Sequence, residues 1–102
     1  MSGVPTEEKS GQVLLNGHVD VPADRWDEVR AALEDHIRLT RKEPGCIMFN
    51  VTPCREVELR LLVDEIFENQ QAFDAHQTRT KASPWAEITA GLPRDYSIRV
   101  VP

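Results

Sequence analysis

Apolar residues change their spacing several times along this chain, and each change marks an element. In QVLLNGHVDV (12–21) apolar and β-branched residues crowd together, as in a strand. From Trp26 the interval becomes three and four, so that Trp26, Val29, Leu33, His36, Ile37 and Thr40 form one helical stripe. Asp24, or Asp20 ahead of Pro22, is placed to cap that helix. KEPG ends it, because Pro44 drives Glu43 out of helical geometry and Gly45 permits the turn. CIMFNVTPC reads as a second strand and VELRLLVDEIF as a third, joined across PCRE. A second helix runs from about Asn69 to Thr78. Ser83 and Pro84 give the cap and first turn of a short third helix, PWAEITAG, stopped by Gly91 and Pro93. DYSIRVV closes the chain as a fourth strand.

The order β-α-β-β-α-α-β is the split βαβ, or ferredoxin-like, arrangement of the α+β class: a four-stranded antiparallel sheet with helices on one face. A chain of 102 residues makes one domain, 12–102, behind a leader, MSGVPTEEKSG (1–11), expected to be disordered. In the third strand Leu59, Leu61, Val63, Glu65 and Phe67 share one face, and Arg60, Leu62, Asp64, Ile66 and Glu68 the other. Leu62 and Ile66 are too apolar for open solvent, which points to a homodimer packed sheet to sheet.

Charge and cysteine content narrow the class. A net charge of -5 with no basic cluster excludes the counterion-releasing surface of a nucleic-acid binder. No apolar run approaches the roughly 20 residues of a membrane span, and the leader lacks the parts of a signal peptide. Cys46 and Cys54 are the only cysteines. On one extended strand, eight residues at about 3.3 Å each hold them roughly 26 Å apart, too far for a disulfide. Without a Cys/His ligand spacing no structural zinc is expected, and two free thiols suggest the cytoplasm.

The candidate chemistry lies where polar residues interrupt apolar faces. Glu65 is the one polar residue on its face of the third strand, and a buried carboxylate requires a partner or a proton. His76 shares a helical face with Ala72 and Phe73 and therefore points at the sheet. Asn16 and His18 share a face of the first strand with Leu14, while Val13, Leu15, Val19 and Val21 make the other face more apolar. Facing the helices, Asn16 and His18 would join Glu65 and His76 in a hollow lined by Phe67, Phe73 and Trp85, the make-up of a small-molecule pocket. Facing away, they would lie at the dimer contact. No GxSxG elbow, Gly-rich phosphate loop, nicotinamide or flavin fingerprint or metal-ligand motif occurs, so no cofactor and no metal are expected.

EPGCIMFNV, VDEIFENQQAFDAHQTRT and YSIRVV strongly resemble the antibiotic biosynthesis monooxygenase family over about residues 12–101. The telling piece is an acidic residue, an aromatic two positions on, and A-F-x-x-H on the next helix: Glu65, Phe67, then Ala72, Phe73 and His76. The resemblance implies a dimeric α/β barrel with a pocket in each subunit. Cofactor-free members oxidise polycyclic or quinol-type aromatics with molecular oxygen, and other members degrade haem, isomerise or bind small metabolites. The first-strand Asn that orients the oxidised ring matches Asn16. The third-strand aromatic, often Trp, is Phe67. The iron-ligating His of the haem-degrading branch falls near Trp85, where this sequence has SPW, so His76 does not match it.

On this reading Asn16, His76 and Glu65 are catalytic, and His18, Phe67, Phe73 and Trp85 bind an aromatic substrate that reacts with O2. An imidazole with pKa near 6.5 accepts a phenolic proton at neutral pH, and the substrate anion then reacts with oxygen itself. The alternatives are an isomerase or other metabolite-processing enzyme on the same fold, and a non-enzymatic dimeric ligand-binding or stress-response module.

Overall fold

The structure is a computed structural model that describes residues 8–102. Its elements are β1 (Val13–Asp20), α1 (Trp26–Arg41), β2 (Cys46–Pro53), β3 (Arg60–Phe67), α2 (Gln70–Lys81), α3 (Pro84–Ile88) and β4 (Arg94–Val100). The strands form one antiparallel sheet in the order β2-β3-β1-β4, the ferredoxin-like pattern read from the sequence. Among the described residues no helix is long and apolar enough to cross a membrane. Of the leader expected at 1–11, residues 1–7 lie outside the described residues. From Glu8 the chain runs beside the end of the sheet, with Glu8 paired to Arg99 and Gly11 N–H donating to Val101 O at 2.9 Å.

Two local expectations need correction. Leu59 does not extend the inner face of β3: it takes a positive φ of 63° in the turn, and the strand starts at Arg60. The β2–β3 connection is correspondingly longer than PCRE, and it leaves Val57 exposed. Neither Asp24 nor Asp20 caps α1. A short 3-10 turn, Ala23–Arg25, leads into the helix without a side-chain cap, and Asp20 is engaged by Arg60 at 2.7 and 3.1 Å.

The other two helices start as expected. Asn69 Oδ1 accepts from Ala72 N–H at 2.8 Å, and Ser83 Oγ from Ala86 N–H at 3.4 Å with Pro84 in the first turn. Gly45 fixes how closely the α1–β2 turn meets α2. Its φ is +86°, and a Cβ there would lie 2.6 Å from the Cβ of Ala72, so no other residue type fits without displacing α2.

The core lies between the sheet and the helices. Val13, Leu15 and Val19 of β1 meet Phe49 and Val51 of β2, Leu61, Val63 and Phe67 of β3, Val29 and Leu33 of α1, and Phe73 of α2. On the opposite sheet face Leu14, Met48 and Ile66 occupy one ladder row, which leaves Ile66 covered by its neighbours. Leu62 on the same face is 41% exposed. Both cysteines are free and half-buried, and burial pushes the Cys46 thiol up to about 11.

Candidate functional site

β3 places Glu65 on the helix side of the sheet, between Val63 and Phe67, by simple alternation. From above, α2 lowers His76 onto it, one turn beyond Phe73. The two side chains are nearly sealed, His76 at 3% exposure and Glu65 at 7%. His76 Nε2 stands 3.9 Å from Glu65 Oε1, beyond hydrogen-bond reach, and that oxygen has no partner among the described residues. His76 Nδ1 lies 2.9 Å from Glu43 Oε1. Glu43, in the turn after α1, is also paired with the Arg79 guanidinium, whose Nη2 donates to Thr40 Oγ1 at 2.8 Å. The Phe67 and Phe49 rings flank His76 at 4.8 and 5.6 Å.

A second buried histidine completes the site. His36 of α1 sits 5.9 Å from His76, ring to ring. It stacks flat on Trp85 of α3, 5.0 Å away at an interplanar angle of 6°, and its Nδ1 has no partner among the described residues. Between these groups opens a cavity of about 440 Å³ that Leu15, His36, Glu65, His76, Trp85 and Tyr96 line, with Lys81 and Arg94 among its other residues.

Burial sets the protonation here. The Glu65 carboxyl is pushed up to about 8, because removal from water penalises its charged form and the Glu43 and Asp64 charges add to that penalty. Burial pushes His36 down to about 3, with His76 and Arg79 adding to the shift. His76 is held below its ordinary value, again by burial, against the opposing pull of Glu43. The Tyr96 phenol is raised, chiefly by burial. At neutral pH the buried part of the lining therefore presents a neutral carboxylic acid, two neutral imidazoles and a neutral phenol, with Lys81 and Arg94 as its cationic residues. With both partners neutral, the Glu65–His76 contact is not an ion pair. A proton passed from a neutral substrate to His76 creates an imidazolium and an anion side by side, and the Glu65 O–H beside them can hydrogen-bond the anion.

Of the residues singled out from the sequence, Glu65, His76 and Trp85 meet at this cavity. Phe67 and Phe73 do not line it: both are packed into the core, their rings 5.7 Å apart, and Phe67 backs the His76 ring. Asn16 and His18 belong to the other face of the sheet. Val13, Leu15 and Val19 take the helix side of β1, and strand alternation then sends Asn16 outward, in register with the exposed Asp64 and Ser97. Of the two placements that the sequence leaves open for Asn16 and His18, the structure has the outward one, so they do not converge with Glu65 and His76.

The sequence reading missed Glu43, Arg79 and Tyr96, and treated His36 only as part of an apolar stripe. A second ring on the same inward face was a usable signal, since His36 and His76 both interrupt apolar positions. Glu43 carries no periodic signal because it sits in a turn. Among the described residues no group of three or more His, Cys, Asp or Glu is disposed to hold a metal ion.

Comparison with known proteins agrees with this architecture. A structure from Nitrosomonas europaea, a candidate antibiotic biosynthesis monooxygenase, superposes with a TM-score of 0.76 at 17% identity, over 93% of this chain and 94% of that one. Another candidate of the same description, from Deinococcus radiodurans, gives 0.74 at 18% identity over 88% and 92%. A conserved protein from Methanosarcina mazei Go1 gives 0.72 at 19% identity over 89% and 93%. At such identities the likeness is one of fold. No curated protein matches the sequence. The model of the antibiotic biosynthesis monooxygenase family matches residues 13–87, which include β1 through most of α3 and carry Glu43, Glu65, His76 and Arg79; the chain belongs to that family.

Proposed function

We propose that the protein is a cofactor-independent monooxygenase that oxidises an aromatic of the quinol or polycyclic phenol type with molecular oxygen. The observation that carries this reading is His76 and Glu65, both buried and 3.9 Å apart, in a cavity walled by Trp85 and Tyr96, where burial favours the neutral form of each. Family membership supports an oxidoreductase of this kind. The ring lies against the aromatic wall with its hydroxyl at His76 Nε2, which takes the phenolic proton; such assistance is worth about 10²–10⁴-fold. The anion places electron density on a ring carbon, which bonds to O2. Cleavage of the O–O bond leaves one oxygen on the ring as a carbonyl and releases the other as water, with the two hydrogens given up by the substrate O–H and C–H. The substrate supplies all four electrons, so a phenol and O2 give a quinone and water, and a hydroquinone gives a hydroxyquinone and water. Glu65 donates a hydrogen bond to the oxygen on which charge gathers.

The test is oxygen uptake by the purified protein with a panel of naphthalene and anthracene phenols under heavy-labelled O2. Expected are one labelled oxygen in each quinone product and no hydrogen peroxide. Peroxide as the sole oxygen product, or no uptake across the panel, overturns the reading. Ligand-induced stabilisation without turnover would favour the binding-module alternative.

We also infer a homodimer. Leu62 on the outer face, and Ile98 and Val100 on the helix side of the edge strand β4 in register with Leu15 and Val13, are 41%, 55% and 51% exposed and leave apolar surface on both sides of the sheet for a second copy to cover. The expected interface is of standard size, about 1,600 Å² in total. A stable monomer in sedimentation at micromolar concentration contradicts it.

A further inference from the structure

A neutral imidazole carries one proton, and which nitrogen holds it decides whether the other can act as a base. Around His76 every neighbour points to the same answer. The carboxylate oxygen of Glu43, 2.9 Å from Nδ1, can only accept, so Nδ1 donates. On the far side Thr80 Oγ1 lies 3.4 Å and Glu65 Oε1 3.9 Å from Nε2, and both groups carry an O–H that can turn toward a bare nitrogen. The opposite tautomer would set the Nδ1 lone pair against the lone pairs of Glu43 at 2.9 Å, a contact between two acceptors.

The two oxygens of Glu43 are divided between two partners: Oε1 meets His76 and Oε2 meets the Arg79 guanidinium. Arg79 is itself tied to α1 through the fully buried Thr40. Outside this group a second cleft, of about 400 Å³, is lined by Glu43, Arg79, Pro44, Asn69 and Ala72 and reaches the edge of His76; the Glu43 side chain is 15% exposed and that of His76 3%. A carboxylate with no counter-charge would draw a proton onto the adjoining ring and convert it to imidazolium, which accepts nothing.

We propose that Glu43 and Arg79 are an opposed pair of positioning residues for His76: Glu43 fixes the ring through Nδ1–H so that Nε2 faces the cavity bare, and Arg79 holds Glu43 and offsets its pull on the ring proton. The proposal deepens the reading of His76 as the proton acceptor and rests on it. The groups facing His76 are Glu43 from the α1–β2 turn, Glu65 from β3, His36 from α1, and Thr80 and Arg79 from α2; Phe49 and Phe67 bring no charge. Glu65 is protonated below about 8 and His36 is neutral above about 3, so Glu43 and Arg79 are the charges that act on His76 near neutral pH.

The decisive experiment is a nitrogen NMR titration of the His76 ring, paired with the pH profile of oxygen uptake. In the wild-type protein at neutral pH, Nδ1 should carry the proton and Nε2 should be bare. Arg79→Met should raise the His76 midpoint by about one unit, and Glu43→Gln should lower it by a similar amount. The acid limb of the rate profile should move with each, in opposite directions, and Arg79→Lys should restore it. A merely structural pair would give no such opposition. A proton on Nε2 in the wild-type protein overturns the proposal without any variant, as do shifts in one common direction or none. The titration needs no substrate: a failure of turnover with the tautomer as stated removes the catalytic reading alone.

Discussion

His36 and His76 sit side by side under one roof, equally buried and both short of their ordinary basicity. One has a carboxylate on its Nδ1; the other has an orphan Nδ1 and a tryptophan on its face. Burial alone turns an imidazole into a flat neutral wall. A hydrogen-bonded anion behind the ring works against that loss, since the pull of Glu43 opposes desolvation at His76 and nothing opposes it at His36.

The sharpest way to break that distinction is by turnover. With any phenol that supports oxygen uptake, His76→Ala should lower kcat at least about 100-fold, within the range assigned to general-base assistance. His36→Phe keeps a ring against Trp85 and should stay within about threefold, a small change in ring positioning. Equal losses in steady-state assays would mean that the two histidines act as one unit.

Stability against pH separates the groups next. The Glu65 carboxyl is raised from 4.5 to about 8 in the folded state, so the stability it contributes is fully present below pH 4.5 and is lost as pH rises through about 8. Glu65→Gln should flatten that decline, and the difference between variant and wild type, read by urea titration at pH 5 and pH 9, should be on the order of 3 kcal/mol. Parallel curves would mean that Glu65 ionises in place. His36 has the opposite sign. Its folded value is depressed to about 3, so its contribution is present above the ordinary 6.5 and is lost as pH falls toward 3. His36→Phe should therefore be more resistant to acid than the wild type while gaining about 1 kcal/mol or less at neutral pH, where only an unpartnered nitrogen is removed.

The smallest effect is expected on the far side of the sheet. Asn16→Ala should change turnover by less than about twofold, because its side chain and the cavity lie on opposite faces. A tenfold loss, about 1.4 kcal/mol, would restore the ring-holding role that the family resemblance implies for this residue.

Element order was legible in the sequence because it rests on local signals. Asn69 and Ser83 act as caps where they stand, and the stripe from Trp26 to Thr40 needs only its own spacing to be read. Glu65 and His76 were legible for the same reason, each a polar interruption of an apolar face. Which way β1 turns was not, since Leu14 and Val13 are both apolar and only the competition for the helix side decides it. Glu43 and Arg79 were hidden for a different reason. A glutamate in a turn and an arginine in a last helical turn are ordinary surface residues until the chain brings positions 36 residues apart into contact.

The tryptophan stacked on His36 carries one more consequence, an optical one. The chain has two tryptophans. Trp26 lies outside the cavity lining, with the Arg30 guanidinium 5.4 Å from its ring, while Trp85 forms part of the cavity wall. Protonated imidazole is a strong quencher of indole emission, and the imidazole against Trp85 stays unprotonated down to about pH 3. The glow of Trp85 is thereby insulated from the most common source of pH drift. In a Trp26→Phe background the protein becomes a single-fluorophore gauge of its own cavity, brightening or dimming with what occupies the space beside that ring.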